Sequence, residues 1–454
     1  MSAALPDQTD KTSSSPKVLA PFDLSKRVGS ILHLLGGNVG VALIMFGSIS
    51  LAARALGPRD FGAFVLILAI GRVSERILRF ESWQPLVRFV AAEEQNGNSE
   101  NIARLYVYGL FLDVCAAILS AVIATAAGLL IGEMIGLNAD QVWLVAIYAV
   151  AIACNIRGMP SAALRMSGHF KTLAYIQAIS GLTRLVLAFV LLQQGAGLLG
   201  FVILWAGAQI LDALLFIILG FRGLAKQNVP GLHAVSWRGL PEQFAGFLKF
   251  AFSTNLSSTL RTMTHEADTL IVGLLLGPAA AGLYFLARRI AKVAQQVGDL
   301  VQMVTYPDLA RIWASADRIE FARIIVWVQV LLGVLAATAI LGVWFGGKPV
   351  LVFAFGPDFA AAEPLLIAQL FAVLLLMHAA PSRSALLAMN RPTYVLGVAV
   401  ISAVLFFLTV FAAIPVFGVI GANFAHIAFG LATALLLDGA MWKGIRARPE
   451  EKCS

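Results

Sequence analysis

Residues 324–346 read IIVWVQVLLGVLAATAILGVWFG, a run of 23 residues without one ionisable side chain. As a helix rising 1.5 Å per residue the run is about 34 Å long, enough to cross a hydrocarbon core of about 30 Å. Working outward from it, comparable apolar stretches lie near 28–54, 60–82, 105–131, 141–164, 172–193, 198–221, 249–276, 280–304, 362–386, 393–413 and 418–441. Over all 454 residues, 59% are hydrophobic, only 13% are charged and the mean hydropathy is +0.85, against roughly 25% charged in an average soluble protein. A soluble globule is excluded. Backbone groups find no water in hydrocarbon, so only helices or a closed barrel can cross it, and these runs far exceed the roughly ten alternating residues of a barrel strand. The expected fold is an all-α polytopic membrane protein of about twelve transmembrane helices.

The net charge of +8 would raise nucleic acid as a partner in a soluble protein, but here its placement decides its meaning. With the N-terminus inside, the inside segments carry 20 Lys and Arg, whereas the outside segments carry only Arg54, Arg59 and Lys348. That asymmetry is the positive-inside pattern, so both termini are expected in the cytoplasm and no nucleic acid is implied. Of three cysteines, Cys115 and Cys154 sit in apolar runs and Cys453 in the polar tail, which offers neither a disulfide framework nor a metal site. The first 27 residues are polar and precede a stretch too long for a signal-peptide core, so a disordered tail and an uncleaved first helix are expected.

The two halves overlay at a shift of about 220 residues. Leu56-Gly57-Pro58 with Gly62 matches Leu276-Gly277-Pro278 with Gly282, and Gly136 matches Gly356. Pro160-Ser161 matches Pro381-Ser382, and Gly197 through Gly200 matches Gly418 through Gly421. Because each half has an even number of spans, the repeats share one orientation, and two parallel six-helix lobes with a cleft between them follow. The expected division is a cytoplasmic tail 1–27, an N-terminal lobe 28–222, a cytoplasmic linker 223–248, a C-terminal lobe 249–442 and a tail 443–454. Pro160 and Pro381 are expected to kink the fourth and tenth spans.

The stretch from Ala52 to Gly62, with Leu56-Gly57-Pro58-Arg59-Asp60-Phe61 at its centre, resembles the loop after the first helix in polysaccharide and O-antigen flippases. These belong to the multidrug/oligosaccharidyl-lipid/polysaccharide exporter superfamily. Phe355-Gly356-Pro357-Asp358-Phe359 is similar to their loop entering the tenth helix. The resemblance spans essentially the whole chain and rests on short structural motifs. It implies a flippase moving polyprenyl-pyrophosphate-linked saccharide from the cytoplasmic to the outer leaflet of a bacterial inner membrane, for O-antigen, exopolysaccharide or capsule. Polysaccharide polymerase and glycosyltransferases are the protein partners such a role implies.

Charges inside the membrane are where function is to be sought, because an ionised group at mid-bilayer costs about 2.5–3.5 kcal/mol on insertion scales. Arg72, Arg76 and Arg79 recur at i, i+4 and i+7, on one helix face. Arg288, Arg289 and Lys292 form a second cluster, with Lys292 at the repeat position of Arg72. These cations, together with Arg157, Arg184 and Arg261, are candidates for holding a pyrophosphate, which arginine grips with paired, charge-assisted bonds. Pairing within the helix is the competing reading, since Glu75 is a turn from both Arg72 and Arg79, and Arg79 is close enough to the interface to snorkel. His265, Glu266 and Asp268 are candidates for coupling transport to a proton or sodium gradient, set against a closed set of ion pairs with Arg261. Asp113 and Asp212 are candidate counter-ions of Arg157 and Arg184. Asp299, Arg383 and Asp438 read as interfacial, and His33 and His426 as packed polar residues. No Walker A sequence, nucleophile–base pair or cofactor motif occurs, and the longest connections, 83–104 and 222–248, are too short for a separate catalytic domain. A transporter, not an enzyme, is expected. An ion-coupled multidrug antiporter on the same scaffold is the alternative, but about ten membrane-embedded basic residues favour an anionic substrate.

Overall fold

A computed structural model describes residues 24–78, 82–225, 243–244, 246–446 and five isolated positions between 226 and 242. Side chains are described except within 24–39, at 41, within 253–266 and at 303–304. The expected tails, most of the linker and the side chains of Arg79, Arg261, His265, Glu266 and His33 lie outside the described residues. Among the described residues there are thirteen α-helices, one 3-10 turn and no strand. They are α1 (Leu24–Leu78), α2 (Trp83–Gln95), α3 (Ser99–Ile131), α4 (Ala139–Ala153), α5 (Gly158–Met166), α6 (Phe170–Gln193) and α7 (Leu198–Ala225). After the linker come α8 (Phe247–Leu276), α9 (Pro278–Ala314), α10 (Arg318–Phe355), the 3-10 turn Pro357–Ala362, α11 (Glu363–Ala388), α12 (Pro392–Phe417) and α13 (Val419–Arg446). The chain is an all-α polytopic membrane protein of two six-helix lobes. Among the described residues, eight spans are long and apolar enough to cross a membrane on length and composition alone. The other four expected spans are the two limbs of α1, α8 and α9. The second limb of α1 and α9 carry the clustered charge.

The first two spans are two helices, as expected, meeting in a corner at Gly57 where φ is 66° and ψ 173°. Two details correct the expected layout. The fourth span is split, with residues 154–157 separating α4 from α5, whereas its repeat partner α11 runs unbroken through Pro381. The segment 83–104 is not a bare connection but holds α2 and the first turn of α3. The break before α5 is held by a carboxylate from α3: Met159 N–H donates to Asp113 Oδ2 at 2.6 Å and Ser82 Oγ to Asp113 Oδ1 at 2.5 Å. A buried carboxylate is stabilising at a helix N-terminus, where backbone N–H groups lack intrahelical partners. Asp113 is thereby tied to the α5 N-terminus. A Cβ on Gly158 would come 1.8 Å from Ser82 Oγ, so this approach requires glycine.

The repeat is visible in the backbone. Gly57, Gly277, Gly136 and Gly356, paired by sequence, all have positive φ, at 66°, 82°, 85° and 106°. Left-handed backbone of this kind is open to glycine at little cost. The two Gly-Pro corners pack directly on each other: a Cβ on Gly62 would meet Pro278 O at 1.8 Å, and one on Gly282 would meet Gly62 Cα at 3.0 Å. Around this crossing Phe61 packs edge-on against Phe359 (5.6 Å) and Phe285 (6.3 Å). Beside it, Arg54 Nε donates to Ala354 O at 2.9 Å, its Nη2 to Phe353 O, and Ser50 Oγ to Ala354 O. Arg54 thus neutralises the carbonyl-rich C-terminus of α10 across the lobe boundary. At the opposite end, Phe247 of α8 packs against Tyr108 (5.1 Å) and Phe89 (5.4 Å), and Arg88 lies 4.9 Å over the Phe250 ring.

Gly62→Ala is expected to lower the unfolding temperature of the detergent-purified protein through overpacking of about 1–3 kcal/mol. Gly207→Ala, where nothing lies within 4 Å, is expected to leave it unchanged, and thermal unfolding of the two variants side by side checks this.

Candidate functional site

The break between α4 and α5 brings Arg157 to the wall of a cavity of about 340 Å³ inside the N-terminal lobe. Arg72 from α1, Arg184 from α6, and Glu75, Tyr148, Asn155, Gln177, Gln209 and Asp212 complete its polar lining. A second cavity of about 260 Å³ shares Glu75, Asn155, Arg157 and Gln177 with it, and adds Asp113 and Arg165. A third, of about 410 Å³, shares Met45 and Gln177, and is lined from α9 by Arg289, Lys292 and Asp299. Gln177 therefore borders all three, and a chain of cavities leads from the lobe interior to the boundary between α1 and α9. Six basic side chains (Arg72, Arg157, Arg165, Arg184, Arg289 and Lys292) face it against four acidic ones (Glu75, Asp113, Asp212 and Asp299), a formal excess of two positive charges.

The cations are not equivalent. Arg157 forms an ion pair with Asp212, which is nearly buried, and its guanidinium lies 5.5 Å from the Phe216 ring. Arg184 stacks 5.4 Å from the Trp205 ring, and its buried Nε has no hydrogen-bond partner among the described residues. An unmet buried donor on a permanent cation is costly unless a ligand satisfies it. Arg72 sits 5.4 Å over the Phe285 ring of α9, reaching across the lobe boundary. Arg289 of α9 reaches back to Met45 of α1. Glu75, one turn from Arg72, accepts hydrogen bonds from Asn155 Nδ2 (2.5 Å) and Gln209 Nε2 (3.1 Å), and Tyr148 OH donates to Gln209 Oε1 (2.7 Å). The amides tie this carboxylate to the break between α4 and α5 and to α7.

Of the expected site residues, Arg72, Arg157, Arg184, Arg289 and Lys292 come together along these cavities. Arg76 is half-buried and lines none of the three. Arg288, one residue from Arg289, turns instead into the C-terminal lobe, where it pairs with the fully buried Asp268. Asp268 also accepts from Tyr284 OH at 2.8 Å and lies 2.9 Å from His426 Nε2. Both Asp268 oxygens are engaged by groups from α9 and α13, so this carboxylate works as a clasp inside the lobe, and Arg288 is its partner there. Asp438, expected at the interface, joins a network with His378 and Ser382 of α11 and Gln329 of α10. The neutral residues Tyr148, Asn155, Gln177 and Gln209 escaped the sequence reading because a search for intramembrane charge passes over amides. Their polar character inside apolar spans was the available signal.

With this geometry in view, comparison with known proteins is informative. A family profile described as "Polysaccharide biosynthesis protein" matches residues 51–364. The inner membrane protein YghQ of Escherichia coli (strain K12) is 24% identical over 329 residues, covering 72% of this chain and 92% of YghQ. The succinoglycan biosynthesis transport protein ExoT of Rhizobium meliloti (strain 1021) is 25% identical over 337 residues, covering 72% of this chain and 62% of ExoT. Among solved structures, the lipid II flippase MurJ in an inward closed conformation aligns with a TM-score of 0.68 at 15% identity, over 90% of this chain and 88% of that one. An inward-facing multidrug resistance MATE family transporter aligns with a TM-score of 0.65 at 13% identity, over 92% and 96% of the two chains. These structural likenesses establish the fold.

The contrast between the two arginines is measurable. Arg157→Met is expected to destabilise the protein by about 3–5 kcal/mol, because it strands the buried Asp212 without its partner. Arg184→Met, which removes a cation with an unmet donor, is expected to leave thermal stability unchanged or raised, while abolishing any stabilisation by added pyrophosphate. Thermal unfolding with and without pyrophosphate checks both.

Proposed function

The chain belongs to the polysaccharide biosynthesis protein family, and from that premise we propose that it is an alternating-access flippase for polyprenyl-pyrophosphate-linked saccharide. It is a multi-pass membrane transporter, not an enzyme. In this proposal it resides in the bacterial inner membrane with both termini in the cytoplasm, so that the Gly57–Gly277 end faces outward. It serves the synthesis of a polysaccharide such as O-antigen, exopolysaccharide or capsule, upstream of a polymerase and downstream of glycosyltransferases.

The observation that carries this reading is the cavity chain with its excess of two positive charges and the unmet Nε of Arg184. A pyrophosphate diester carries two negative charges, and moving it through hydrocarbon unaided is the main barrier to flipping. Arg72, Arg289 and Lys292 supply cations from both sides of the lobe boundary, where a bound pyrophosphate would be shared by the two lobes. The amides of Asn155, Gln177 and Gln209 and the Trp205 ring offer the donors, acceptors and apolar face that a saccharide head uses. The polyprenyl tail stays in lipid. The cationic excess weighs against a cationic drug as the substrate, since a like-charged cavity repels it.

Mass spectrometry of lipids co-purifying in mild detergent tests the proposal. Wild-type protein is expected to carry polyprenyl-pyrophosphate saccharide, and an Arg72→Ala, Arg184→Ala, Lys292→Ala triple variant to lose it roughly tenfold or more, a change of about 1.4 kcal/mol or greater. Bulk phospholipid alone on the wild type, at the same level as on the variant, counts against it.

A further inference from the structure

The C-terminal lobe holds a polar cluster that the cationic cavity does not use. His378 Nε2 of α11 lies 2.9 Å from Asp438 Oδ2 of α13. Ser382 Oγ donates to Asp438 Oδ1, and Gln329 Nε2 of α10 reaches Asp438 Oδ1 (3.2 Å), Ser382 Oγ (3.0 Å) and His378 O (3.2 Å). The carboxylate is thus held by three groups, and the imidazole is 40% exposed. With Nε2–H committed to Asp438, the ring's remaining proton acceptor is Nδ1.

The repeat gives the cluster its meaning. His378 stands three residues before Pro381, as Arg157 stands three before Pro160, and Ser382 matches Ser161. At Arg157 the N-terminal lobe has a cation paired with a carboxylate of its sixth span, Asp212. At His378 the C-terminal lobe has an imidazole paired with a carboxylate of its own sixth span. Each lobe thus pairs its fourth and sixth spans through a carboxylate of the sixth, although Asp438 lies about a turn beyond Thr433, the position that matches Asp212; the pair is permanent in one lobe and titratable in the other. We propose that His378 and Asp438 form a proton-binding site whose occupancy biases the arrangement of the lobes and so couples transport to a proton gradient. A proton from one aqueous side adds to the Nδ1 lone pair, giving imidazolium against carboxylate, and leaves to the other side when the ring returns to neutral.

The charged groups on the elements around the pair have other neighbours. On α9, Asp299 lies within electrostatic reach of Arg383 and Lys292. From α10 the group facing the pair is the neutral Gln329. On α13, Lys443 and Arg446 lie more than a turn beyond Asp438. From α12, Tyr394 OH donates to Leu436 O and Arg391 stands at the helix N-cap. On α8 and its neighbours, Asp268, Arg288 and His426 are closed on one another.

The inference rests on the transporter reading but not on the identity of the substrate. Full-length protein in nanodiscs, with Cys115, Cys154 and Cys453 replaced by serine, would carry spin labels at Gln95→Cys and Ala314→Cys, exposed positions on the two lobes. The distance distribution between them is measured by pulsed electron resonance from about pH 5 to 9, spanning the ordinary histidine range. The expected result is a pH-dependent redistribution that is lost in His378→Gln and has a displaced midpoint in Asp438→Asn. A distribution indifferent to pH, or one that responds identically in all three proteins, overturns the proposal. Because a misfolded variant would also lose the response, nitrogen-15 spectra of the histidines provide a second reading on the wild type. The imidazole whose signal is missing from His378→Gln is expected to titrate across this range; if that imidazole keeps one form throughout, the proposal fails. Failure here with the saccharide lipid still bound to wild type leaves the flippase reading standing, and the converse separates the two equally well.

Discussion

The rest of the molecule depends on one close approach, the crossing of α1 and α9 at Gly62 and Gly282. There the backbones of the two lobes touch without intervening side chains, and the Gly-Pro corners at Gly57 and Gly277 set the angle at which each chain enters the crossing. A pivot made of backbone has little room to compress, because interiors are packed to crystal density. In the proposed alternating-access cycle this contact would serve as the fulcrum, and the cavities on the far side of it are where rotation would change the available volume. The Arg54 bonds to the last carbonyls of α10 lie at the same end and depend on the lobes being together there.

Placement of charge follows from that geometry. Arg288 and Arg289 differ by one residue, or about 100° around a helix, and that rotation sends one to the buried Asp268 and the other to the lobe boundary. The first spends its charge on holding α8, α9 and α13 together. The second, with Lys292, faces a space that also receives Arg72 from the other lobe. In the proposed flippase, cations that meet a passing pyrophosphate cannot be fully neutralised by fixed carboxylates. The graded engagement seen here, from Arg157 paired with Asp212 to Arg184 with an unmet Nε, keeps the cavity polar without closing it.

Much of this was legible in the sequence. The apolar runs give the helices because hydrocarbon leaves the backbone no alternative, and the paired Gly-Pro motifs give the repeat because positive φ and backbone contact admit few other residues. Arg72, Arg184, Arg289 and Lys292 could be read as cavity-facing because ionised groups inside a span are expensive elsewhere. What sequence periodicity could not supply was direction across helices. It put Arg288 beside Arg289 in function, and it did not show that Asp113 holds the α5 N-terminus through Met159. Pairing between helices is a property of packing, and 20 to 158 residues separate such partners here.

The two lobes share one plan but have diverged in their polar interiors. In the N-terminal lobe the fourth span breaks at 154–157, which frees backbone groups and turns Arg157 towards Asp212. In the C-terminal lobe the corresponding helix stays whole through Pro381, and the residue at the matching position is His378. Tyr148 of the N-terminal cavity corresponds to Gln369, which accepts from Asn423 at 2.8 Å inside a closed core, and Ser48 corresponds to Asp268 in its clasp. Among the described residues, Tyr148 lines open volume whereas Gln369 and Asp268 are engaged inside the C-terminal lobe, whose open-facing charges, Arg289, Lys292 and Asp299, lie on α9 at the lobe boundary. A duplicated scaffold allows this division, since close backbone contact constrains only the Gly-Pro corners and the crossing.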